Sequence, residues 1–261
     1  MYLINIDSFL LERFDVNPPP YAILSHRWRD GEVSFSEIAD PDRREGKAGF
    51  AKILDMCAQA RKDNLAYVWV DTCCIDKSSS AELSEAINSM FACYQGATIC
   101  YAFLDDVVAI DQDTEIRLLD DITKSVWFER GWTLQELITP KRVEFFCKLE
   151  GAQGPNWARL GNREYLSEFI SERTRIPEEL LHGRNPVSAY SASMRMSWAA
   201  NRITTRPEDI AYCLMGLFGV NMPLPYGEGS KAFLRLQEET MRTIDDDTIF
   251  AWTDPSRSQL C

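Results

Sequence analysis

A tryptophan and a glutamate four residues apart form a pair of side chains that could do chemistry together. Trp132 and Glu136 lie in the stretch SVWFERGWTLQELITPKRVEFF at residues 125–146, just before an apolar run that is typical of a strand. On a helix this spacing places both side chains on one face. Glu136 can then serve as a catalytic carboxylate, or it can close a capping box that begins at Thr133 and do no chemistry.

Three clusters of polar and aromatic residues stand at or just after the ends of predicted strands. Because the carboxyl ends of parallel strands meet at one edge of a sheet, we expect the clusters to gather there, which is the usual place for a ligand crevice. Their members are Ser25, His26, Arg27 and Trp28; Asp71, Cys73, Cys74 and Asp76; and Arg130, Trp132 and Glu136.

Each cluster also has a structural interpretation. His26 is one of two histidines in the chain and can act as a base or as a hydrogen-bonded structural residue. Cys73 and Cys74 could offer a thiolate beside His26, although adjacent cysteines that end an apolar strand are usually small buried hydrophobic residues. Asp71 and Asp76 could bind a metal or cap the helix that follows. The local sequence leaves these alternatives open.

The composition excludes several classes of protein. The chain has 261 residues, of which 45% are hydrophobic, enough for a packed core in one large domain or two closely joined ones. A net charge of −12, without a dense cluster of Lys or Arg, argues against nucleic acid as a partner. We find no signal peptide and no apolar run of the roughly 18 residues that a membrane span needs, so we expect no membrane span.

The cysteines indicate the compartment. All eight lie mostly in apolar segments and none form a CxxC pair, so we expect reduced thiols, a cytoplasmic location and no metal site. The segment YGEGSK at residues 226–231 looks superficially like a phosphate loop. It lacks the GxxxxGK[ST] spacing, and no strand precedes it, which excludes a nucleoside triphosphatase of that type.

The elements that must position these residues alternate between strands and helices. Apolar runs predict strands at residues 21–24, 65–76, 98–107 and 142–147. Helical periodicity predicts one helix over residues 47–62, and the capping box of Ser79 and Glu82 starts another that Gly96 closes. This alternation predicts an open parallel α/β sheet.

The second half of the chain has a different pattern. Helices are predicted at residues 163–173, 188–200, 207–218 and 230–244, and the next strand only at TIFAW, residues 248–252. We therefore predict an α/β core over residues 1–150 and a helical extension over residues 151–261 that packs on the core without a flexible linker. Because the sequence still looks ordered where it stops, we expect one module of a longer protein.

Five segments in the right order closely resemble the fungal heterokaryon incompatibility (HET) domain. They are PPPYAILSHRW from residue 18, the long run from YVWVDTCC to FLDDV at 67–107, WFERGWTLQELITPKRVEFF at 127–146, the run from RMSWAANR to LQEE at 195–239, and the final FAW at 250–252. In vegetative incompatibility proteins this domain precedes a nucleotide-binding oligomerisation module and a WD40 repeat sensor. The resemblance implies a cell-death effector of fungal non-self recognition that self-associates on activation.

HET domains are also thought to be remote relatives of the Toll/interleukin-1 receptor (TIR) domain, several branches of which cleave NAD. Here ILSHRW at residues 23–28 resembles the first TIR element, and Trp132 with Glu136 resembles the last. Residues 1–150 should then form a TIR-like, flavodoxin-like sheet. His26 and Trp28 depart from the TIR pattern, in which an aromatic residue and a glycine stand at these positions, and the helical half has no TIR counterpart.

This second resemblance implies an NAD glycohydrolase with Glu136 as its catalytic carboxylate, NAD as its substrate and no required cofactor. Breaking the nicotinamide–ribose bond passes through an oxocarbenium-like transition state, which a fixed carboxylate stabilises or captures. An aromatic residue would stack on the cationic ring, and an arginine would hold the pyrophosphate. The residues expected to bind NAD are Ser25, His26, Arg27, Trp28, Asp71, Arg130 and Trp132.

Two other functions stay open. The domain could be a non-enzymatic death-signalling module that acts by self-assembly or partner binding, or a cysteine hydrolase that uses Cys74 and His26. A structure separates the two interpretations of Glu136: a catalytic carboxylate should face an open crevice near Ser25 and Asp71, whereas a cap should turn back to the Thr133 amide.

Overall fold

The structure is a computed structural model that describes residues 1–109, 115–151 and 156–251. Seven strands in these residues form one sheet. In chain order they are β1 (Tyr2–Asn5), β2 (Leu11–Arg13), β3 (Tyr21–His26), β4 (Tyr67–Trp69), β5 (Ile99–Ala109), β6 (Val143–Leu149) and β7 (Trp157–Asn162). Their order across the sheet is β2-β1-β4-β3-β5-β6-β7.

The centre of the sheet is parallel and its edges are antiparallel. Strands β4, β3, β5 and β6 are the four predicted from sequence, and each runs parallel to its neighbour. All six residues of β3 are buried, as its continuous apolar sequence predicts for a strand covered on both faces. Because β1, β2 and β7 pair antiparallel, the chain has a mixed α/β sheet rather than a wholly parallel one.

Strand β7 corrects the prediction that the chain beyond Cys147 is helical. Its sequence, WARLGN, has the short, half-polar character of an edge strand, which gives a weak local signal. Long-range pairing holds it in place, since it runs antiparallel to β6 and Arg159 Nε donates to Glu144 Oε2 at 2.8 Å. The predicted terminal strand at residues 248–252 is also wrong: Asp247–Phe250 is a 3₁₀ helix, and residue 252 lies outside the described residues.

Eleven α-helices and three 3₁₀ helices complete the described residues. The α-helices are α1 (Pro41–Glu45), α2 (Phe50–Lys62), α3 (Ser80–Gly96), α4 (Glu115–Lys124), α5 (Thr133–Ile138), α6 (Ser167–Thr174), α7 (Glu178–Leu181), α8 (Ala192–Ser197), α9 (Asp209–Tyr212), α10 (Met215–Phe218) and α11 (Lys231–Thr243). The 3₁₀ helices are Val126–Glu129, Val187–Ala189 and Asp247–Phe250.

The helix predictions are confirmed where the local signals are clear. Helix α3 begins after Ser79, whose hydroxyl accepts the Glu82 amide hydrogen bond at 3.3 Å, and it ends at Gly96. The predicted helix at residues 207–218 is present as the two short helices α9 and α10. Gly219 closes α10 in the left-handed conformation (φ +66°), the usual role of a glycine after a helix.

The two halves of the chain share one hydrophobic core. Buried residues form a single cluster that reaches from Leu3 in β1 to Ile249 near the end of the described chain. The halves also meet through backbone hydrogen bonds: the amide of Gly131 donates to the carbonyl of Ile203 at 2.9 Å, and the amide of Ile203 donates to that of Glu129 at 2.6 Å. The helical half therefore packs directly on the segment that leads into α5.

None of the helices in the described part of the chain combines the length and the apolar character that a membrane crossing requires.

Candidate functional site

A pocket of about 360 Å³ opens at the carboxyl ends of β3 and β4, a size within the range of small-molecule sites. Residues at the ends of β3 and β4 and residues of α3 and α5 form one part of its lining, and residues of the helical half form another. Its polar and aromatic lining residues are His26, Trp28, Asp71, Lys77, Tyr94, Arg130, Trp132, Glu136, Thr204, Thr205, Arg206, Asp209 and Tyr226. Members of all three predicted strand-end clusters thus meet at this pocket, although not every member of each cluster does.

Glu136 lies on the floor of this pocket with 8% of its surface exposed. The hydroxyl of Ser25, on β3, donates a hydrogen bond to Glu136 Oε2. Trp127 Nε1 in turn donates to Ser25 Oγ at 2.9 Å. The carboxyl group is therefore held by a chain of hydrogen bonds that joins α5, the central strand and the preceding 3₁₀ helix.

The capping-box interpretation of Glu136 is wrong. Helix α5 has Trp132 at its N-cap, and the N-cap side chain makes no capping hydrogen bond. The Thr133 hydroxyl lies instead 2.6 Å from the carbonyl oxygen of Trp127 and 2.9 Å from that of Arg130. Glu136 is thus free of a capping role and faces the pocket beside Ser25.

Burial changes the protonation of Glu136. It raises the pKa of the carboxyl group to about 8, and the charge of Asp71 acts in the same direction, while the Ser25 hydrogen bond and the charge of Arg130 lower it. At neutral pH the group is therefore mostly protonated in the ligand-free protein. A cation bound beside it would favour the ionised form.

Asp71 organises the neighbouring part of the floor. Its carboxylate accepts hydrogen bonds from His26 Nε2 at 2.9 Å and from Trp28 Nε1 at 2.7 Å. Burial opposes the ionisation of Asp71, but the hydrogen bond and charge of His26, with smaller effects of Lys77 and Trp28, lower its pKa to about 2. Burial also lowers the pKa of His26. An ionised carboxylate can only accept a hydrogen bond, so His26 Nε2 donates to Asp71, which also orients the Trp28 indole.

Three cationic side chains line the same pocket. The Lys77 ammonium lies 3.7 Å from the centroid of the Trp28 ring, and the Arg206 guanidinium lies 4.4 Å from that of Tyr226. Arg130 Nε is buried and has no hydrogen-bond partner among the described residues. Within the described parts of the chain, none of the three forms an ion pair within 4.0 Å. The pocket therefore carries positive charge that no protein carboxylate pairs directly.

The helical half contributes buried polar groups that support its wall of the pocket. Arg202 is buried and donates to the Arg130 carbonyl and to the Thr133 hydroxyl, both at 2.9 Å, and burial lowers the pKa of its guanidinium to about 10. Tyr226 donates to Asp209 Oδ1 at 3.0 Å, and burial raises the pKa of this carboxyl group. Both contacts tie the wall to residues that line the pocket.

Hydrogen bonds to a carboxylate also hold the turn after Tyr226. The Glu208 carboxylate accepts hydrogen bonds from the amides of Gly227 at 2.8 Å and Gly229 at 2.9 Å. Both glycines have positive φ, which suits a turn that wraps around an anion. The segment YGEGSK is therefore built around a protein carboxylate, and this turn holds Tyr226 at the edge of the pocket.

Some of the predicted site residues line the pocket and others do not. His26, Trp28, Asp71, Arg130, Trp132 and Glu136 line the pocket. Ser25 lies behind Glu136 and contacts it directly. Arg27 is not brought to the pocket, since its Nε faces Asp105 at 4.0 Å. Asp76 accepts hydrogen bonds from the amide and hydroxyl of Ser78, so it holds the loop before α3 and does not cap that helix, whose N-cap is Ser79.

Sequence reasoning missed every pocket residue of the helical half, and Lys77 and Tyr94 of the first half. Thr204, Thr205, Arg206, Asp209 and Tyr226 lie in or beside loops, where no periodicity predicts which side chains face inward. Their one sequence signal is that all five fall within the HET-like run at residues 195–239. The predicted boundary at residue 150 gives no sign that residues beyond it line the pocket.

Comparison with known proteins identifies the family. The model of the heterokaryon incompatibility protein (HET) family matches residues 21–118. The chain is also 48% identical, over 226 residues, to vegetative incompatibility protein HET-E-1 of Podospora anserina. This chain carries a HET domain. The resemblance inferred from the five sequence segments is thus confirmed.

The alignment covers most of this chain but only a small part of its relative. The alignment with HET-E-1 spans 85% of this chain but only 16% of that protein. A second family model, described as a domain of unknown function (DUF8212), matches residues 231–260, of which 252–260 lie outside the described residues. No solved structure matches the chain significantly. The HET-family match includes β3 and β4 with Ser25, His26, Trp28 and Asp71, whereas Glu136 lies beyond it.

Cys73 and Cys74 of this HET domain lack the features of a nucleophile. Cys73 Sγ donates to the carbonyl oxygen of Val33, and Cys74 Sγ accepts from the amide of Val70. Burial raises the pKa of Cys73 to about 12 and that of Cys74 well above its usual range. Neither thiol lines the pocket that contains Glu136. A thiolate is therefore strongly disfavoured at both positions, which argues against a cysteine hydrolase.

Proposed function

We propose that this HET domain is a cell-death effector that cleaves the nicotinamide–ribose bond of NAD when copies of it self-associate. The observation that carries the proposal is the position of Glu136 on the floor of an aromatic-lined pocket, oriented by Ser25 and Trp127. A carboxylate fixed beside the anomeric carbon stabilises the positive charge of the transition state or captures it covalently. Nicotinamide leaves as a neutral molecule, so the reaction needs no strong general acid.

The strand order supports the TIR-like part of the proposal. Numbered among themselves along the chain, the four parallel strands lie in the order 2-1-3-4, which agrees with the first four strands of a flavodoxin-like sheet. Ligands of such sheets bind outside the carboxyl ends of the strands, where the order reverses. The pocket lies at the same carboxyl edge, at the ends of β3 and β4, one strand away from the β3–β5 position where the order reverses.

Four other pocket residues have roles in this proposal. The face of Trp28 or Trp132 stacks on the cationic nicotinamide ring, a contact worth on the order of 1 kcal/mol or more when it is shielded from water. Asp71 holds Trp28 and adds negative charge close to the ring. Arg130 takes the phosphate-binding role, because Arg27 faces Asp105 instead of the pocket.

The protonation behaviour of Glu136 is consistent with this chemistry. The carboxyl group of Glu136, with its pKa of about 8 in the ligand-free protein, ionises more readily once a positively charged ring lies beside it. Substrate binding would thus produce the carboxylate that the transition state requires.

The wider biological role is part of the same proposal. HET-E-1 is by its name a vegetative incompatibility protein and is much longer than this chain, which supports a HET domain governed by further modules. We propose that nucleotide-binding and WD40 sensor modules bring copies of the domain together in the cytoplasm. NAD loss would then kill the cell.

The test is NAD consumption by the chain fused to an inducible oligomerisation module. We expect nicotinamide and ADP-ribose to accumulate after induction, and Glu136→Gln to lower the rate by roughly 100-fold or more, because it removes the charge that faces the transition state. Glu168→Gln, at an exposed position on α6, is the matched control and should leave the rate unchanged, as should Cys74→Ala.

Unchanged NAD loss in the Glu136→Gln variant would show that this residue is not the catalytic carboxylate. If the oligomerised protein kills cells while NAD stays intact, the domain is a non-enzymatic death-signalling module that acts by assembly or partner binding.

A further inference from the structure

The positive charges of the pocket come from both halves of the chain. Lys77 and Arg130 belong to the α/β half, and Arg206 belongs to the loop at residues 203–206 that crosses to the pocket from the helical half. The chain as a whole has a net charge of −12. In such a protein the average field repels anions, so three cations at one pocket that form no ion pair with a carboxylate of the described residues point to an anionic ligand there.

Arg206 is held in a defined position although it is exposed. Its guanidinium lies over the ring of Tyr226 at 4.4 Å, and the Tyr226 hydroxyl donates to Asp209. Its backbone is fixed as well, because its carbonyl accepts a hydrogen bond from the Thr204 hydroxyl at 2.6 Å. Stacking uses the face of the guanidinium and leaves its N–H edges available to a ligand.

The arrangement of charge along the pocket indicates the shape of the ligand. Glu136 is buried and Asp71 is half-buried, whereas Arg206 is exposed and belongs to the helical half. A ligand that is positive at one end and carries phosphate at the other would satisfy both regions. Guanidinium groups bind phosphate oxygens in a planar, two-pronged geometry that a lysine cannot reproduce.

We infer that the helical half supplies the phosphate-binding wall of the site, with Arg206 as its principal contact. In this arrangement Arg206 and Arg130 bind the phosphates of a pyridine nucleotide from two sides, and the nicotinamide ring lies near Glu136. The identity of the ring rests on the proposed function, whereas the phosphate contact rests on the unpaired cations. The helical half is then part of the ligand site in addition to its structural role.

The test compares two probes that share the same ring and ribose but differ in phosphate. NAD and nicotinamide riboside are titrated by calorimetry into the Glu136→Gln chain, in which cleavage is blocked if the proposed function is correct. We expect an added Arg206→Gln change to weaken NAD binding by roughly tenfold or more, as the loss of a charge-assisted hydrogen bond predicts. Riboside affinity should change less than about twofold, because that contact is absent for this probe.

Two further variants control for fold and charge. Arg184→Gln removes another exposed arginine of the helical half and should leave both affinities unchanged. Arg206→Lys keeps the charge without the planar group, so NAD affinity should fall between that of the parent chain and that of Arg206→Gln. Matching melting temperatures would show that all variants are folded.

The outcomes separate this inference from the proposed function. Equal loss of affinity for both probes, no loss for either, or no binding of NAD at millimolar concentration would overturn the phosphate-binding role. If binding depends on Arg206 and on phosphate but the oligomerised chain leaves NAD intact, the phosphate site stands and the glycohydrolase proposal fails. If NAD is cleaved and the Arg206 variants bind it normally, the glycohydrolase proposal stands and the phosphate-binding role of Arg206 fails.

Discussion

Glu136 illustrates how a functional residue can work against the stability of the fold that holds it. Burial raises the pKa of its carboxyl group from an ordinary value of 4.5 to about 8, so the folded chain binds this proton more tightly than the unfolded chain does. The contribution of this group to stability is therefore greatest below pH 4.5. It declines as the pH rises from 4.5 to 8 and is constant above that range.

At the residue scale we predict that Glu136→Gln stabilises the protein progressively more at higher pH. A neutral amide avoids the burial of a charge, so between pH 6 and pH 9 the free energy of unfolding of the variant should gain about 2 to 3 kcal/mol on that of the parent chain. Urea unfolding at both pH values measures it, with the exposed Glu168→Gln as control. Parallel pH curves for parent and Glu136→Gln would contradict the buried, protonated state.

The joint between the two halves depends on one close approach of the backbone. Gly131 lies beside the Arg130–Ile203 bridge, and a Cβ atom at this position would lie 2.5 Å from Thr204 Cγ2 and 3.1 Å from Cys213 Sγ. The absence of a side chain thus lets the loop at residues 203–206 reach the pocket. This loop is the element that carries Arg206.

At the element scale we predict that Gly131→Ala loosens this joint. Overpacking of this kind lowers the free energy of unfolding by about 1 to 3 kcal/mol, and the displaced loop should also weaken NAD binding. The control is Gly46→Ala, where the nearest atom to an added Cβ is 3.9 Å away and φ is −74°. A Gly131→Ala chain with parent stability and NAD affinity would show that the joint tolerates the added group.

At the scale of the whole molecule the two predicted regions share their stabilising contacts. The hydrophobic cluster includes Leu24 and Phe145 of the sheet together with Leu166, Tyr212 and Leu236 of the second half. Strand β7 also completes the edge of the sheet beside β6. A chain cut after residue 150 would expose that apolar surface and the unpaired edge of β6.

We therefore predict that residues 1–150 alone do not fold stably, whereas the full chain unfolds in a single cooperative transition. Circular dichroism melting and limited proteolysis of the two chains measure this, with residues 1–251 as a matched truncation that keeps all of the described core. A soluble 1–150 fragment with its own cooperative transition would establish the predicted boundary as a domain boundary.

Local sequence alone specifies the parallel centre of the sheet and the main helices. The run at residues 21–24 is apolar throughout, which suits a strand covered on both faces, and helices α2 and α3 follow from a periodicity that needs no distant partner. Edge strand β7 lacks such a signal, because pairing with β6 holds it in place. This is why the sheet could be predicted at its centre and not at its edges.

The site also has a part that the sequence indicates and a part that only the tertiary structure decides. The residue types at the ends of β3 and β4 indicated a ligand crevice, since parallel strands bring their carboxyl ends to one edge. The local sequence around Glu136 fits a cap and a catalytic carboxylate equally well, and the choice depends on Ser25, which lies 111 positions earlier in the chain. Arg206 reaches the pocket through packing between the two halves, and such contacts between distant segments leave no periodic trace in the sequence.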